Sequence, residues 1–195
     1  SPAITSLPAN AASVSETGGP SVTLTATLAF ARGSSTVIPL VLSGTATRGK
    51  DYNAGTSITI PAGATQGSTV VQVIDDTNDE PDETVVATAG KSTGAVIADA
   101  QHPPSASFTI TDNDNAPTVT FVATTATIAE GQSRAIGVQL SAYSGFPVTV
   151  PFTVSGSANS SDYTLSTAGP LTIPPGSTTG SFTVRITNDG VSEPQ

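Results

Sequence analysis

Val22-Thr23-Leu24-Thr25-Ala26-Thr27-Leu28-Ala29-Phe30 carries an apolar side chain at every second position, with threonine or alanine between. A period of two sends one set of side chains to a core and the other to water, so the stretch predicts a half-buried antiparallel strand. Phe146, Val148, Val150, Phe152 and Val154 repeat the pattern, with Pro147 and Pro151 on the opposite face. Proline gives no ladder donor, so this second strand is expected at a sheet edge or beside a bulge. No segment longer than about ten residues shows a helical period. The 18 glycines and 15 prolines are scattered among Thr, Ser, Val and Ala, the composition of many short strands joined by turns. The fold class expected is all-β.

The chain also repeats itself. Val14-Ser15-Glu16 returns as Ile128-Ala129-Glu130, Ser43-Gly44-Thr45-Ala46 as Ser155-Gly156-Ser157-Ala158, and Asp51-Tyr52 as Asp162-Tyr163. Ile60-Pro61-Ala62-Gly63 returns as Ile173-Pro174-Pro175-Gly176, and Val73-Ile74-Asp75-Asp76 as Ile186-Thr187-Asn188-Asp189. Glu80-Pro81 is matched by Glu193-Pro194. Ordered landmarks at near-constant spacing predict two homologous domains, 1–115 and 116–195, with a boundary near Asn115-Ala116-Pro117. In this register nothing in the second copy matches residues 83–114, which hold two expected strands near 84–88 and 107–111. The first domain is expected complete and the second incomplete at its C-terminal side. The sequence then reads as a piece of a longer chain, or as one whose gap another chain fills.

The 195 residues hold 15 acidic and 6 basic side chains, a net charge of −9. That balance repels phosphate backbones and anionic membrane surfaces, and no apolar run reaches the roughly 20 residues of a membrane span. There is no cysteine, so disulfides, zinc–thiolate sites and thiol nucleophiles are excluded, a usage compatible with export. The single histidine, His102, stands in the loop-like Gln101-His102-Pro103-Pro104 without a nucleophile–base arrangement, so no enzyme is expected. With no tryptophan and three tyrosines, little aromatic surface exists for stacking on sugars.

The acids are concentrated. Residues 1–115 contain eleven, among them Glu16, Asp51, the run Asp75, Asp76, Asp79, Glu80, Asp82, Glu83, and Asp112 and Asp114. They fall at expected strand ends, and in an antiparallel sandwich alternate turns gather at one end. Gathered carboxylates repel one another, which a hard cation relieves. Calcium accepts six to eight oxygen ligands in flexible geometry, whereas magnesium keeps its waters and zinc, copper and iron favour nitrogen or sulfur. A solvated loop is the competing reading of the run 75–83.

These landmarks, with Gly44-Thr45-Ala46-Thr47-Arg48-Gly49-Lys50-Asp51-Tyr52 and Ile110-Thr111-Asp112-Asn113-Asp114, resemble the Calx-beta family of calcium-binding β-sandwich modules. The resemblance implies a seven-stranded, immunoglobulin-like sandwich with Ca²⁺ among the loops at one end. It places ligands at Glu16, Asp51, Asp75, Asp76, Glu80, Glu83, Asp112 and Asp114. Asn113 departs from the pattern, where calcium-rich members carry another acid. In the second copy Glu130, Asp162, Asp189 and Glu193 match, and neutral Asn188 replaces an aspartate. That site is expected to be weak or empty. The function expected is a calcium-stiffened structural or adhesive module of an extracellular or cell-surface protein, its partners being neighbouring repeats or neighbouring copies. A filament subunit assembled by β-strand addition is the alternative, with Ser1–Asn10 as a conceivable donor. The simpler reading makes that stretch the split first strand of its own domain, matching residues 117–126.

Overall fold

The computed structural model describes residues 1–190. The chain divides into two compact units, one built from Ser1–Asp76 and Pro81–Asn113, the other including the chain from Asp114 onward. No helix among the described residues is long and apolar enough to cross a membrane.

The first unit is a sandwich of two sheets. Strands β1 (Ile4–Ser6), β3 (Ser21–Leu28), β7 (Gln66–Val73) and β5 (Tyr52–Ala54) form one, in the order β1-β3-β7-β5. Strands β2 (Ser13–Ser15), β9 (Ser105–Thr111), β8 (Glu83–Ala89), β4 (Thr36–Gly44) and β6 (Ser57–Ile60) form the other, in the order β2-β9-β8-β4-β6. The expected seven strands are nine by hydrogen bonding, because the opening segment splits into β1 and β2 on opposite sheets and β5 adds a short edge. Ile4–Ser6 is paired to β3 of its own unit, and Ile4 and Leu7 are buried, so Ser1–Asn10 is spent at home.

Alternation does what period two requires. Along β3, Val22, Leu24, Ala26 and Leu28 are buried while the threonines between them are only partly covered. The strand ends at Leu28, and Phe30 lies beyond it, 56% exposed. Leu24, Ile38, Ile58, Ile60, Val71 and Val85 are essentially inaccessible and fill the space between the sheets. Each such side chain contributes about 1.5–3 kcal/mol of burial, which offsets the entropy of ordering the strands.

The second unit copies six of these strands. β10 (Val119–Phe121), β11 (Ser133–Leu140), β15 (Thr179–Ile186) and β13 (Tyr163–Leu165) form one sheet in that order, and β12 (Val148–Val150) pairs with β14 (Leu171–Ile173). The registers correspond. Thr36 faces Ile60 and Val148 faces Ile173; Tyr52 faces Val73 and Tyr163 faces Ile186; Ile4 faces Leu28 and Val119 faces Leu140. Among the described residues, three strands have no counterpart: β2, β8 and β9. The core is correspondingly small, Val138, Leu140 and Ile173 with Val148, Val150 and Leu171 packed against them.

Two segments whose counterparts in the first unit are paired, 152–156 and 127–129, form no strand. The alternating run from Phe146 to Val154 is a strand only at Val148–Val150. Residues 152–156 correspond to Leu40–Gly44 of β4, which pair with β8. Likewise residues 127–129 correspond to Ser13–Ser15 of β2, whose partner is β9. An extended backbone without a ladder partner leaves its donors and acceptors to water and gains nothing from its pattern.

Candidate metal centre

The acidic residues of the first repeat sit where strands enter and leave the sandwich. Glu16 follows β2 directly, and its N–H donates to the Thr111 carbonyl at 3.1 Å, which ties it to the end of β9. Asp112 and Asp114 are carried past that same end. Asp51 precedes β5 in a tight turn: its N–H donates to Thr47 O at 3.0 Å, and its carboxylate accepts the Thr47 N–H. Its own carbonyl accepts the Ile74 N–H at 2.9 Å. Glu83 opens β8, opposite Ile110 of β9.

Two carboxylate triads result. Glu16, Asp112 and Asp114 each place an oxygen within 4.8 Å of the others, and Asp51, Glu80 and Glu83 do the same. Glu16 is buried, an unusual place for a carboxylate, and the other five are half-buried. Glu16 Oε1, Asp112 Oδ1 and Asp114 Oδ2 are all shielded from solvent, and Asp114 Oδ2 accepts no hydrogen bond from the described residues. Carboxylate oxygens this close, withdrawn from water, carry a mutual electrostatic cost. A cation among them removes it. The donor set, oxygen alone with no imidazole or thiolate, fits a hard divalent ion.

Asp75 and Asp76 lie outside both triads. Asp75 accepts the Gly18 N–H at 2.7 Å through Oδ2, and Asn113 Nδ2 approaches its Oδ1 at 3.4 Å while donating to Thr17 Oγ1 at 2.6 Å. Asn113 thus serves as an amide donor beside the loop after β2. Asp82, in the acidic run but not singled out from the sequence, accepts the Asp112 N–H at 3.1 Å and helps hold the exit of β9. Its meeting with Asp112, just outside the paired ends of β8 and β9, is invisible in a linear reading.

In the second repeat the described residues bring no three carboxylates together. Asp162 keeps the turn chemistry of Asp51, accepting the Asn159 N–H at 2.7 Å, while its carbonyl takes the Thr187 N–H at 2.8 Å. Glu130 and Asp189 are exposed, as is Asn188, and Glu193 lies outside the described residues. Glu130 follows the segment that is not a strand, and the described residues hold no equivalent of the tether that fixes Glu16 to β9.

A tandem β-sandwich with acidic groups at the strand ends defines the class. The sequence matches the Calx-beta domain over residues 2–114 and again over 112–195, and the chain belongs to that family. Among solved structures it is similar to the calcium binding domain CBD12 of CALX1.1, at 19% identity over 95% of this chain and 77% of that one, TM-score 0.46. CBD12 from CALX1.2 is similar at 19% identity over 93% and 76%, TM-score 0.44. The apo form of the Calx CBD1 domain matches 56% of this chain and all of its own, at 20% identity and TM-score 0.40. No curated protein sequence matches the chain.

Proposed function

We propose that the first repeat binds two or more Ca²⁺ ions and that the protein is a calcium-dependent structural or adhesive module. The observation that carries this reading is the Glu16–Asp112–Asp114 triad, with the solvent-shielded Asp114 Oδ2 left for a cation. Six clustered carboxylates exceed the charge of one divalent ion, and aspartates readily bridge neighbouring ions. Asp75 and Asp76, close in sequence to Glu80 and Glu83, are assigned as additional ligands that turn toward the ions on binding. The second repeat, with Asn188 and its separated acids, contributes little.

Asp112 and Asp114 close the first repeat, and Asn115-Ala116-Pro117 alone precedes the chain that enters β10. Ions held there restrain the backbone of the connection, which suits a rod of repeated modules in an extracellular or cell-surface protein. Extracellular calcium modules have dissociation constants of about 10⁻⁴–10⁻³ M. Calorimetric titration of the 195-residue chain with Ca²⁺ tests the proposal. Saturable heat and a raised melting temperature are expected; the absence of both at about ten millimolar Ca²⁺, above that range, overturns it.

A further inference from the structure

Arg48 is one of 6 basic side chains in a chain with 15 acids, yet no carboxylate is paired with it among the described residues. Its place is fixed from β5. That strand is the edge of its sheet, and alternation turns the Tyr52 and Ala54 carbonyls away from β7, toward the free side. The Gly49 N–H donates to the first at 2.7 Å and Arg48 Nη2 to the second at 2.6 Å. A guanidinium has five N–H donors. The bond to Ala54 engages one of them and holds the rest in place.

The Arg48 side chain forms part of the wall of a cleft of about 380 Å³ in the flank of the first sandwich. The cleft exists because β6 accompanies β4 only as far as Pro39. The Leu40 N–H still reaches the Thr56 carbonyl at 2.8 Å, and past that point β4 has only β8 beside it. Alternation points the Leu42 N–H the same way as that of Leu40, away from β8, and nothing among the described residues accepts it. Tyr52, 2% exposed, belongs to the same wall. A buried phenol normally finds a partner; the Tyr52 hydroxyl makes no hydrogen bond among the described residues and is left to the cleft. Leu40, Leu42 and Ala46 supply an apolar lining.

We infer that this cleft binds a small organic carboxylate, its charged end held by Arg48, Tyr52 and the Leu42 N–H and its apolar body by Leu40, Leu42 and Ala46. Donors converge there and no acid is among the wall residues, which suits an anion. A planar carboxylate matches the guanidinium fork. The net charge of −9, with Asp51 close in sequence to Arg48, favours a singly charged anion over a phosphate dianion. The volume lies in the range of small-molecule sites, and an apolar lining with few polar groups is their usual make-up. The second repeat carries no such site, because Asn159, Ser160 and Ser161 stand between Ala158 and Asp162 without a basic residue. The cleft uses none of the triad carboxylates, so its ligand is bound without calcium.

The probe is benzoate, titrated at constant ionic strength and with chelator present into the isotope-labelled 195-residue chain. Saturable amide shifts centred on residues 40–56 are expected, with a dissociation constant of about 10⁻³ M, as suits a ligand of about nine heavy atoms. Arg48→Gln, a change at an exposed position, should weaken binding at least about tenfold, and Tyr52→Phe about three- to tenfold. Benzamide, of the same shape but uncharged, should not saturate in that range. Unchanged exchange protection in β3 and β7 shows that each variant is folded, and the benzamide arm needs no variant. The absence of a saturable shift at about 10⁻² M, ten times the expected constant, overturns the inference. So does benzamide binding as tight as that of benzoate, indifference to Arg48→Gln, or shifts as large at residues 152–167. Binding seen only with calcium overturns it too, because the carboxylate then sits on the ion.

Discussion

The Thr84 carbonyl lies so close to Gly44 that no side chain fits between β4 and β8 at that point. Two backbones meet there at the price of one conformation only glycine adopts readily. The contact links the end of β4 to the start of β8, where Glu83 enters the acidic cluster, so packing at Gly44 and ligand placement at Glu83 are one problem.

Gly44→Ala should therefore destabilise the first repeat by roughly 1–3 kcal/mol, combining backbone strain with an overpacked contact. Gly156→Ala carries the strain without the contact and should cost measurably less. Denaturant unfolding of the two variants, followed separately for each repeat by exchange, compares them. Equal losses would contradict the equivalence drawn between the two positions.

Asp114→Asn removes one charge from the most enclosed triad. In chelator the variant should be as stable as the parent, or more so, because like-charge repulsion falls. With calcium the order should reverse. The parent gains of order RT ln(1 + [Ca²⁺]/Kd), about a kcal/mol at a few times Kd, and the variant loses most of that gain. Melting curves in both conditions check the sign change. A variant destabilised equally in both would mark Asp114 as structural.

Glu130→Gln and Asp189→Asn should leave calcium affinity unchanged, because these side chains are exposed and belong to no triad among the described residues. Glu16→Gln, by contrast, should weaken binding at least about tenfold, since it takes charge and an ideally placed oxygen from the site. Calorimetry on the three variants separates the repeats. Comparable losses from all three would assign a working site to the second.

Tyr52 supplies a pH test. Burial pushes its phenol above the ordinary value of 10.0, with the Arg48 guanidinium opposing and the Asp51 carboxylate adding to the rise. The unfolded chain then loses the proton first. The stability tied to the neutral phenol is whole below pH 10.0 and is lost as pH rises through the folded value. Tyr52→Phe should flatten this alkaline loss in the first repeat while removing a bond-capable hydroxyl at little cost. An unchanged alkaline limb would exclude Tyr52 as its source.

The sequence by itself determined the inward face of β3 and that the architecture occurs twice. Val22, Leu24, Ala26 and Leu28 are inside because alternation is a local property of an extended backbone, readable without knowing the partner strand. The paired landmarks likewise predicted that the first domain recurs, while the matching registers of β12 with β14 and β13 with β15 are findings of the structure. Tertiary structure alone decided which extended segments become strands. Phe152 and Val154 alternate as well as Leu24 and Ala26 do, yet residues 152–156 form no ladder, because a strand exists only through a neighbour distant in sequence. The same non-local pairing sorted the acids. Glu16, Asp112 and Asp114 meet because β2 runs beside β9, while Asp75 and Asp76, equally acidic and as well placed in the linear pattern, stand apart. Charge type and strand-end position are written in the chain; distances between carboxylates are set by which strands lie side by side.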